Sequence, residues 1–316
     1  MVLGIDIGKA KFSACALIAG RSNVRDFANT PAGFRKLQQW LQKFEQLEIQ
    51  ACMESTNRYW EALANFLHVR GYGVSVVNPY RTAAYWKSEH LRAKTDRIDA
   101  AMIARFCQSQ CPPAWTPPSP FERQLRDLVR EVECLKAERR RFKTRMEHGP
   151  GYALKRILAT LDKEVRGLER HITALLGSQP QFAHHYRNLQ TVPGIGKVTA
   201  YIMLAEIGSK VHHLNAEELV SYAGMAPRIF ESGSSIRKSR GTNKIGNSRV
   251  KRAFYMPALA ATRKPGEWKA RKQRLIDRGK PKKVAIGAIM RKLFIVTCGV
   301  LKSGRPYNPA LSPAHA

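Results

Sequence analysis

Acidic side chains are scarce in this chain of 316 residues, with 24 Asp and Glu against 54 Lys and Arg and a formal net charge of +30. Such a deficit points to a large anionic partner. Nucleic acid comes first, because Lys and Arg neutralise phosphates and release counterions. The 6 cysteines (15, 52, 107, 111, 134 and 298) form no C-x-x-C pair, and Cys107 and Cys111 have no matching pair elsewhere. That spacing argues against a zinc site and for reduced, mostly buried thiols. No apolar run approaches the roughly 20 residues that span a bilayer, and "MVLGIDIGKAKF" lacks the pattern of a signal peptide. A membrane partner is therefore not expected. Disorder is not expected either, since hydrophobic residues make up 44% of the chain, enough for real cores.

The charge is uneven. Residues 191–316 carry 24 basic and 6 acidic side chains, or +18 of the total, whereas residues 1–110 and 111–190 each carry 15 and 9. The C-terminal third is thus the main candidate nucleic-acid surface.

Three regions follow one another. At the start, Val2 to Ile7 and Lys11 to Leu17 read as a hairpin, with a third strand near Val24 to Phe27. "TPAGFRKLQQWLQKF" has helical spacing, with Thr30 as N-cap and Pro31 in the first turn. "EIQACMES" and "YGVSVVNP" read as strands around the helix "RYWEALANFLHVRG", and "KTDRIDAAMIARFCQ" as a further helix. Alternating strands and helices predict an α/β sheet with some parallel pairing. The Pro-rich "CPPAWTPPSP" marks a boundary, giving a first domain over 1–112.

A connector is expected over 113–183. Leu154, Leu158, Leu161, Val165, Leu168, Ile172 and Leu175 form a heptad seam, which an earlier helix from Arg123 to Met146 can pair with as a helical hairpin or coiled coil, or which can drive self-association. A mainly α-helical domain over 184–316 then ends in the helix "VAIGAIMRKLFIVTCGVLKSG" and a Pro-rich tail that reads as unstructured.

Within the first domain, Asp6 interrupts an apolar strand, a costly place for an unpaired carboxylate. Glu54 ends a second strand, and Asp96 and Asp99 share one face of a helix. No lysine partner is evident beside them, so their repulsion calls for a divalent cation. Oxygen donors suit Mg²⁺ or Mn²⁺, which can orient a nucleophile and stabilise a leaving oxygen on a phosphodiester. Singly these residues are weak signals: Asp96 is also a candidate N-cap near Lys94 and Arg97, and "GIDIGK" also resembles the start of actin-like ATPases.

Two segments suit phosphate. "VPGIGKVTA" places Gly194 and Gly196 at a tight turn into a helix, with Lys197 adding charge, as in helix-hairpin-helix corners that grip the backbone. Alternatively it is a plain structural corner. From Arg228 to Lys283 there are 18 Lys or Arg against Glu231, Glu267 and Asp277, with Arg237, Lys238, Arg240, Lys244, Arg249, Lys251 and Arg252 closely clustered. Among them lies "FESGSSIRKSRG". By spacing alone it is a linker, and Ser232, Ser234 and Ser235 are indistinguishable as nucleophiles, since a serine hydroxyl needs activation to attack.

The order of these parts, with "GIDIGKAKF", "CMESTNRYW", "VSVVNPYR", "LRAKTDRIDAAMIARF", "VPGIGKVTA", "YAGMAPRIFESGSSIRKSRGTNKIGNSRVKRAFYMPAL" and "AIGAIMRKLFIVTCGVLKSG", resembles the insertion-sequence transposases that pair a DEDD-type RuvC-like domain with a serine transposase domain, the bridge-RNA-guided recombinases. The resemblance covers nearly the whole chain. It implies an RNase H-like (RuvC-like) fold in which Asp6, Glu54, Asp96 and Asp99 hold Mg²⁺. It also implies Ser232 as the nucleophile that forms a covalent phosphoserine link to DNA, with the two halves of each site drawn from different protomers of a tetramer assembled from dimers. Donor and target DNA and a structured guide RNA are the implied partners, and a cytoplasmic place at the nucleoid of a bacterial or archaeal cell the implied location. Two other readings stay open. One is a metal-dependent RuvC-like junction nuclease with a structural serine loop; the other is a nucleic-acid-binding protein without catalysis.

Overall fold

The computed structural model describes residues 1–44, 46–89, 95–149, 151–232, 236–242 and 245–311, with backbone only for 228–232, 236–242 and 311. The chain divides into two compact units, 1–117 and 118–316.

The first unit is built on a five-stranded mixed sheet. Its strands are β1 (Val2–Ile7), β2 (Lys11–Ile18), β3 (Arg21–Ala28), β4 (Gln50–Glu54) and β5 (Gly73–Val77), in the order β3-β2-β1-β4-β5. β1 and β2 pair antiparallel, as do β2 and β3, while β1, β4 and β5 run parallel. Helix α1 (Pro31–Leu41) starts where its cap dictates: Thr30 Oγ1 accepts from the Gly33 N–H at 3.2 Å. Helix α2 (Glu61–Val69) follows β4 and buries Leu63, Ala64 and Leu67. Leu3, Ile5 and Ile7 alternate inward on β1 and join Phe12, Ala14, Phe34, Leu37, Trp40 and Leu63 in the core on this face. Each fully buried Leu or Ile contributes roughly 1.5–3 kcal/mol. Helix α3 (Pro79–Ser88) begins at the Asn78 cap, and α4 (Asp96–Gln110) packs on the opposite face, where Ala100, Ala104, Ile103 and Cys107 meet Cys15, Leu17 and Cys52. All six thiols are free; 15, 52, 107 and 298 are buried and 111 and 134 exposed. The Pro-rich segment packs on this sheet: the Trp115 N–H donates to the Val74 carbonyl at 2.6 Å, and its ring meets Trp60 edge-on.

The second unit is mostly helical. α5 (Pro120–Glu147) opens with a capping box between Ser119 and Glu122 and runs antiparallel to α6 (Tyr152–Gly177). The heptad seam is partly buried in this hairpin. Leu158, Val165 and Ile172 are buried, and Lys136–Glu169 and Arg139–Asp162 pair at 2.6 Å across the helices. After α7 (Pro180–Leu189) come α8 (Lys197–Glu206) and α9 (Ala216–Tyr222), then a hairpin of β6 (Pro227–Ser232) and β7 (Ile236–Thr242), then α10 (Ser248–Ala253), α11 (Tyr255–Ala261), α12 (Glu267–Asp277) and α13 (Lys282–Ser303). Three expectations are corrected here. The serine stretch forms a strand pair instead of a linker, because Ile229, Phe230 and Ile236 supply β-favouring residues on either side of its Gly-Ser centre. α13 is long and apolar enough by composition to cross a membrane, contrary to the sequence reading, but it is the central helix of this unit, with Ile289, Leu293, Phe294 and Cys298 among its buried residues. The start of the tail is tied down beyond it: the Gly304 carbonyl accepts from Asn188 at 2.7 Å, and the Tyr307 N–H donates to Thr191 Oγ1 at 2.8 Å, while 312–316 lie outside the described residues.

One buried charge ties this unit together. Glu206 on α8 is 2% exposed. It accepts from Arg130 of α5 at 2.9 Å and from Asn247, the cap of α10, at 2.8 Å. Burial pushes its carboxyl up, but Arg130 and Asn247 outweigh that and hold it below the usual range. Because the folded pKa is depressed, this contribution is present above the unfolded value of about 4.3 and is lost as pH falls through the folded value. Arg130→Met strands the carboxylate and is expected to cost about 3–5 kcal/mol at neutral pH. In urea titrations the loss should shrink as pH falls and the variant's Glu206, no longer held down by Arg130, takes up its proton. A loss independent of pH would place the effect in packing.

Candidate functional site

Asp6 and Glu54 sit at the C-terminal ends of neighbouring parallel strands. The β1–β4 ladder runs through Gly4↔Cys52 and Ile5↔Met53. Since strand side chains alternate, Asp6 falls on the face of Gly4 and Glu54 on the face of Cys52, which is the face covered by α4. What lets α4 this close is the bare Cα of Gly4: a Cβ there would overlap the Ala100 carbonyl oxygen and the Ala104 nitrogen and stand 2.8 Å from Ala104 Cα.

α4 runs opposite to β1. Its later turns pack with Val2, while its first turn reaches the strand end bearing Asp6. Asp96 pairs there with Lys11 at 3.0 Å. Arg97 pairs at 2.9 Å with Asp26, which accepts from the Ser13 hydroxyl at 2.7 Å, and Ser13 lies opposite Asp6 in the ladder. The hydrogen bonds from Ser13 and then Arg97 hold the Asp26 carboxyl below its usual range. Thr95, not Asp96, caps the helix, its Oγ1 accepting from the Ile98 N–H at 3.3 Å. Acidic residues in a first turn also favour the helix dipole, so Asp96 and Asp99 have a structural reason to be there as well.

The structure thus brings all four positions to one end of the sheet, two on strand ends and two in one helical turn. It does not close them into a cage: among the described residues, no group of three or more His, Cys, Asp or Glu stands close enough to hold a metal ion. Asp96 is held by Lys11, whose own pKa is raised by the hydrogen bond and charge of Asp96. The absence of a lysine partner, expected from sequence, is therefore corrected. Glu54 is steadied by the buried Thr82, whose hydroxyl lies 2.5 Å from its Oε1. Thr82, Lys11 and Gly4 were not singled out from sequence. The Asn78-Pro79 helix start one turn before Thr82, and a glycine inside a strand, are the signals that find two of them. At the outer end of β1, Asn29 donates to the carbonyls of Gly8 and Tyr59 at 3.0 and 3.2 Å, fixing the turn after Asp6 against the chain after β4.

Ser232 is the last residue of β6 and lies opposite Ile236, one place beyond the pair Glu231↔Arg237. Gly233, Ser234, Ser235 and Lys244 lie outside the described residues. Arg237, Lys238 and Arg240 are placed on β7 by backbone. Of the remaining basic cluster, Arg252 is exposed and Lys251 half-buried on α10, while Arg249 pairs with Glu133 at 3.1 Å and so serves the fold. At the α7–α8 corner, Gly194 has φ +85, and a Cβ on it would overlap the Pro257 carbonyl oxygen; this glycine is needed for packing whatever the turn binds. Gly196 caps α8 without any side-chain hydrogen bond, and Lys197 beside it is exposed, leaving N–H groups at the helix start.

The model of the DEDD transposase domain of IS110 elements, described as a transposase, matches residues 3–149, and that of the IS116/IS110/IS902 transposase family matches residues 186–273. The pilin gene-inverting protein of Moraxella bovis is 35% identical over 317 residues, 97% of each chain, and that of Moraxella lacunata is 34% identical with the same coverage. An uncharacterized 43.6 kDa protein of insertion element IS110 from Streptomyces coelicolor is 30% identical over 151 residues, 48% of this chain and 36% of that one. With two family models across both units and relatives matched nearly end to end, the chain belongs to the IS110 family of transposases, enzymes that act on DNA.

Proposed function

We propose that this protein is a DNA recombinase that cuts and rejoins strands through Ser232, with Asp6, Glu54, Asp96 and Asp99 as ligands for a divalent cation in an RNase H-like unit. The observation that carries the reading is the meeting of four carboxylate positions at one end of the sheet, where Gly4 admits the helix bearing two of them. The donors fit a hard cation: all are carboxylates, none is soft, and Thr82 orients Glu54 as an outer hydrogen-bond partner. Mg²⁺ is favoured, with Mn²⁺ as the other candidate; when bound, the ion supplies charge stabilisation at the phosphodiester. Lys11 is exposed, so its release from Asp96 requires no repacking.

The chain's own steps are these. Cationic side chains of the second unit hold the DNA backbone. Ser232 Oγ attacks phosphorus, its proton leaves to solvent, an O–P bond to serine forms, and the P–O bond to the leaving strand breaks as that oxygen takes a proton. Attack by the hydroxyl of another strand reverses the step and rejoins DNA. The names of the Moraxella relatives make inversion of a DNA segment the outcome to test first. A structured guide RNA, assembly of dimers into a tetramer that sets Ser232 of one protomer against the carboxylates of another, and a cytoplasmic, nucleoid-associated location complete the proposal. The excess of +18 over residues 191–316 supports two polyanionic partners at once.

Asp6→Asn keeps the size of the side chain and removes its charge. Inversion of a plasmid segment should fall at least about 100-fold, with DNA affinity within twofold. Undiminished inversion would remove the carboxylates from the chemistry.

A further inference from the structure

A cavity of about 690 Å³ lies in the second unit between the root of the β6–β7 hairpin, α10 and the start of α13. Its volume falls within the roughly 300–1,000 Å³ of ligand sites. The apolar lining comes from Met225, Pro227, Ala288 and Met290, with the cations Lys251, Lys280, Lys283 and Arg291 beside them, and no described lining residue is acidic. Val284 is 53% exposed, a large apolar side chain left open at the mouth. Gly287 sits in the wall, mid-helix in α13, and a Cβ there would meet nothing within 4 Å. A glycine inside a helix costs about 0.5–1 kcal/mol relative to alanine, and here no atom of the described residues stands within 4 Å of where its Cβ would be. Burial lowers the Lys251 pKa, so this ammonium gains from an anion beside it.

An apolar lining with four cations beside it matches one chemistry, a flat, weakly polar body attached to phosphate. We propose that this cavity holds an unpaired nucleotide of the DNA substrate, its base on the apolar lining over Gly287 and its flanking phosphates on the cations. Pro227, in the cavity wall, starts the strand that ends at Ser232, about 17 Å away at the usual strand rise, or about five steps of a DNA strand. The site would thus take a base displaced near the cut. This rests on the proposed attack of Ser232 on DNA only for its choice of DNA.

The test uses the full-length protein and Gly287→Phe, which fills the cavity without touching its charges. Fluorescence anisotropy compares a short duplex bearing one bulged base with the same duplex fully paired. The wild type should prefer the bulge about tenfold, the worth of one stacked base. Gly287→Phe should bring the two affinities to within twofold of each other, leave binding of the paired duplex unchanged and keep or raise the melting temperature. A preference that survives Gly287→Phe, a wild type without preference, a preference for bulged RNA alone, or a changed oligomeric mass in Gly287→Phe, meaning a protein occupant, each overturns the proposal. Ser232→Ala should keep the bulge preference, so loss of strand cleavage and loss of this site are read separately.

Discussion

Ser232→Ala is expected to abolish the covalent protein–DNA adduct and to lower recombination by about 10⁴-fold or more, the usual scale for removal of a nucleophile. That is roughly 5.5 kcal/mol of lost transition-state stabilisation. The substitution removes a single oxygen and keeps both backbone groups, so the pairing of Ser232 with Ile236 at the end of the hairpin is retained. DNA affinity should therefore stay within twofold, since it resides in Lys and Arg side chains. Denaturing gels of protein incubated with labelled DNA read the adduct directly. Ser234→Ala and Ser235→Ala are the controls and should keep it. If metal-dependent cleavage persists undiminished in Ser232→Ala, the carboxylates alone cut, the serine is structural, and the junction-nuclease reading replaces the recombinase one. Ser232 stands in the last pair of a strand ladder, which is what makes this contest a real one: a ladder serine has a structural reason to exist, and only the adduct separates the two roles.

What the sequence revealed follows from which physics is local. The five strands and the helices α1, α2 and α4 were legible because alternation, helical spacing and the Thr30-Pro31 start are written in consecutive residues. Asp6 and Glu54 were visible as charges at strand positions. The partnership of Lys11 with Asp96 was not, because it depends on the direction in which α4 crosses the sheet, and neither was Thr82 beneath Glu54, which comes from a helix 28 residues on. The hairpin carrying Ser232 was hidden for the opposite reason: its glycine and serines advertise flexible chain, while the pairing that orders it joins residues across that centre. The heptad seam was read correctly as a seam, but periodicity cannot say whether its partner is α5 of the same chain or another copy. Burial of Leu158, Val165 and Ile172 gives α5 a share of that seam, while Leu154, Leu161, Leu168 and Leu175 are only half-buried.

Gly4→Ala is expected to have the second large effect, through fold and site together. The added Cβ overlaps backbone atoms of Ala100 and Ala104, which no rotamer change relieves, so α4 must move off the sheet. Overpacking of this kind costs about 1–3 kcal/mol, against a typical domain stability of about 5–15 kcal/mol. The first unit should stay folded but melt about 5–10 °C lower, with hydrogen exchange in β1 and α4 accelerated. Asp99 directly precedes Ala100 and Asp96 lies one turn earlier, so the displacement is passed to both carboxylates. A misplacement of about 1 Å is worth about 100-fold in rate, and recombination should fall by that order while DNA affinity holds. The decisive comparison is Gly4→Ala with Ala104→Gly added. Trimming the Ala104 side chain removes none of the overlapped atoms, so the double variant should show no recovery. If it regains activity, the crowding lies in side chains, and Gly4 is not what sets the height of α4 above Asp6.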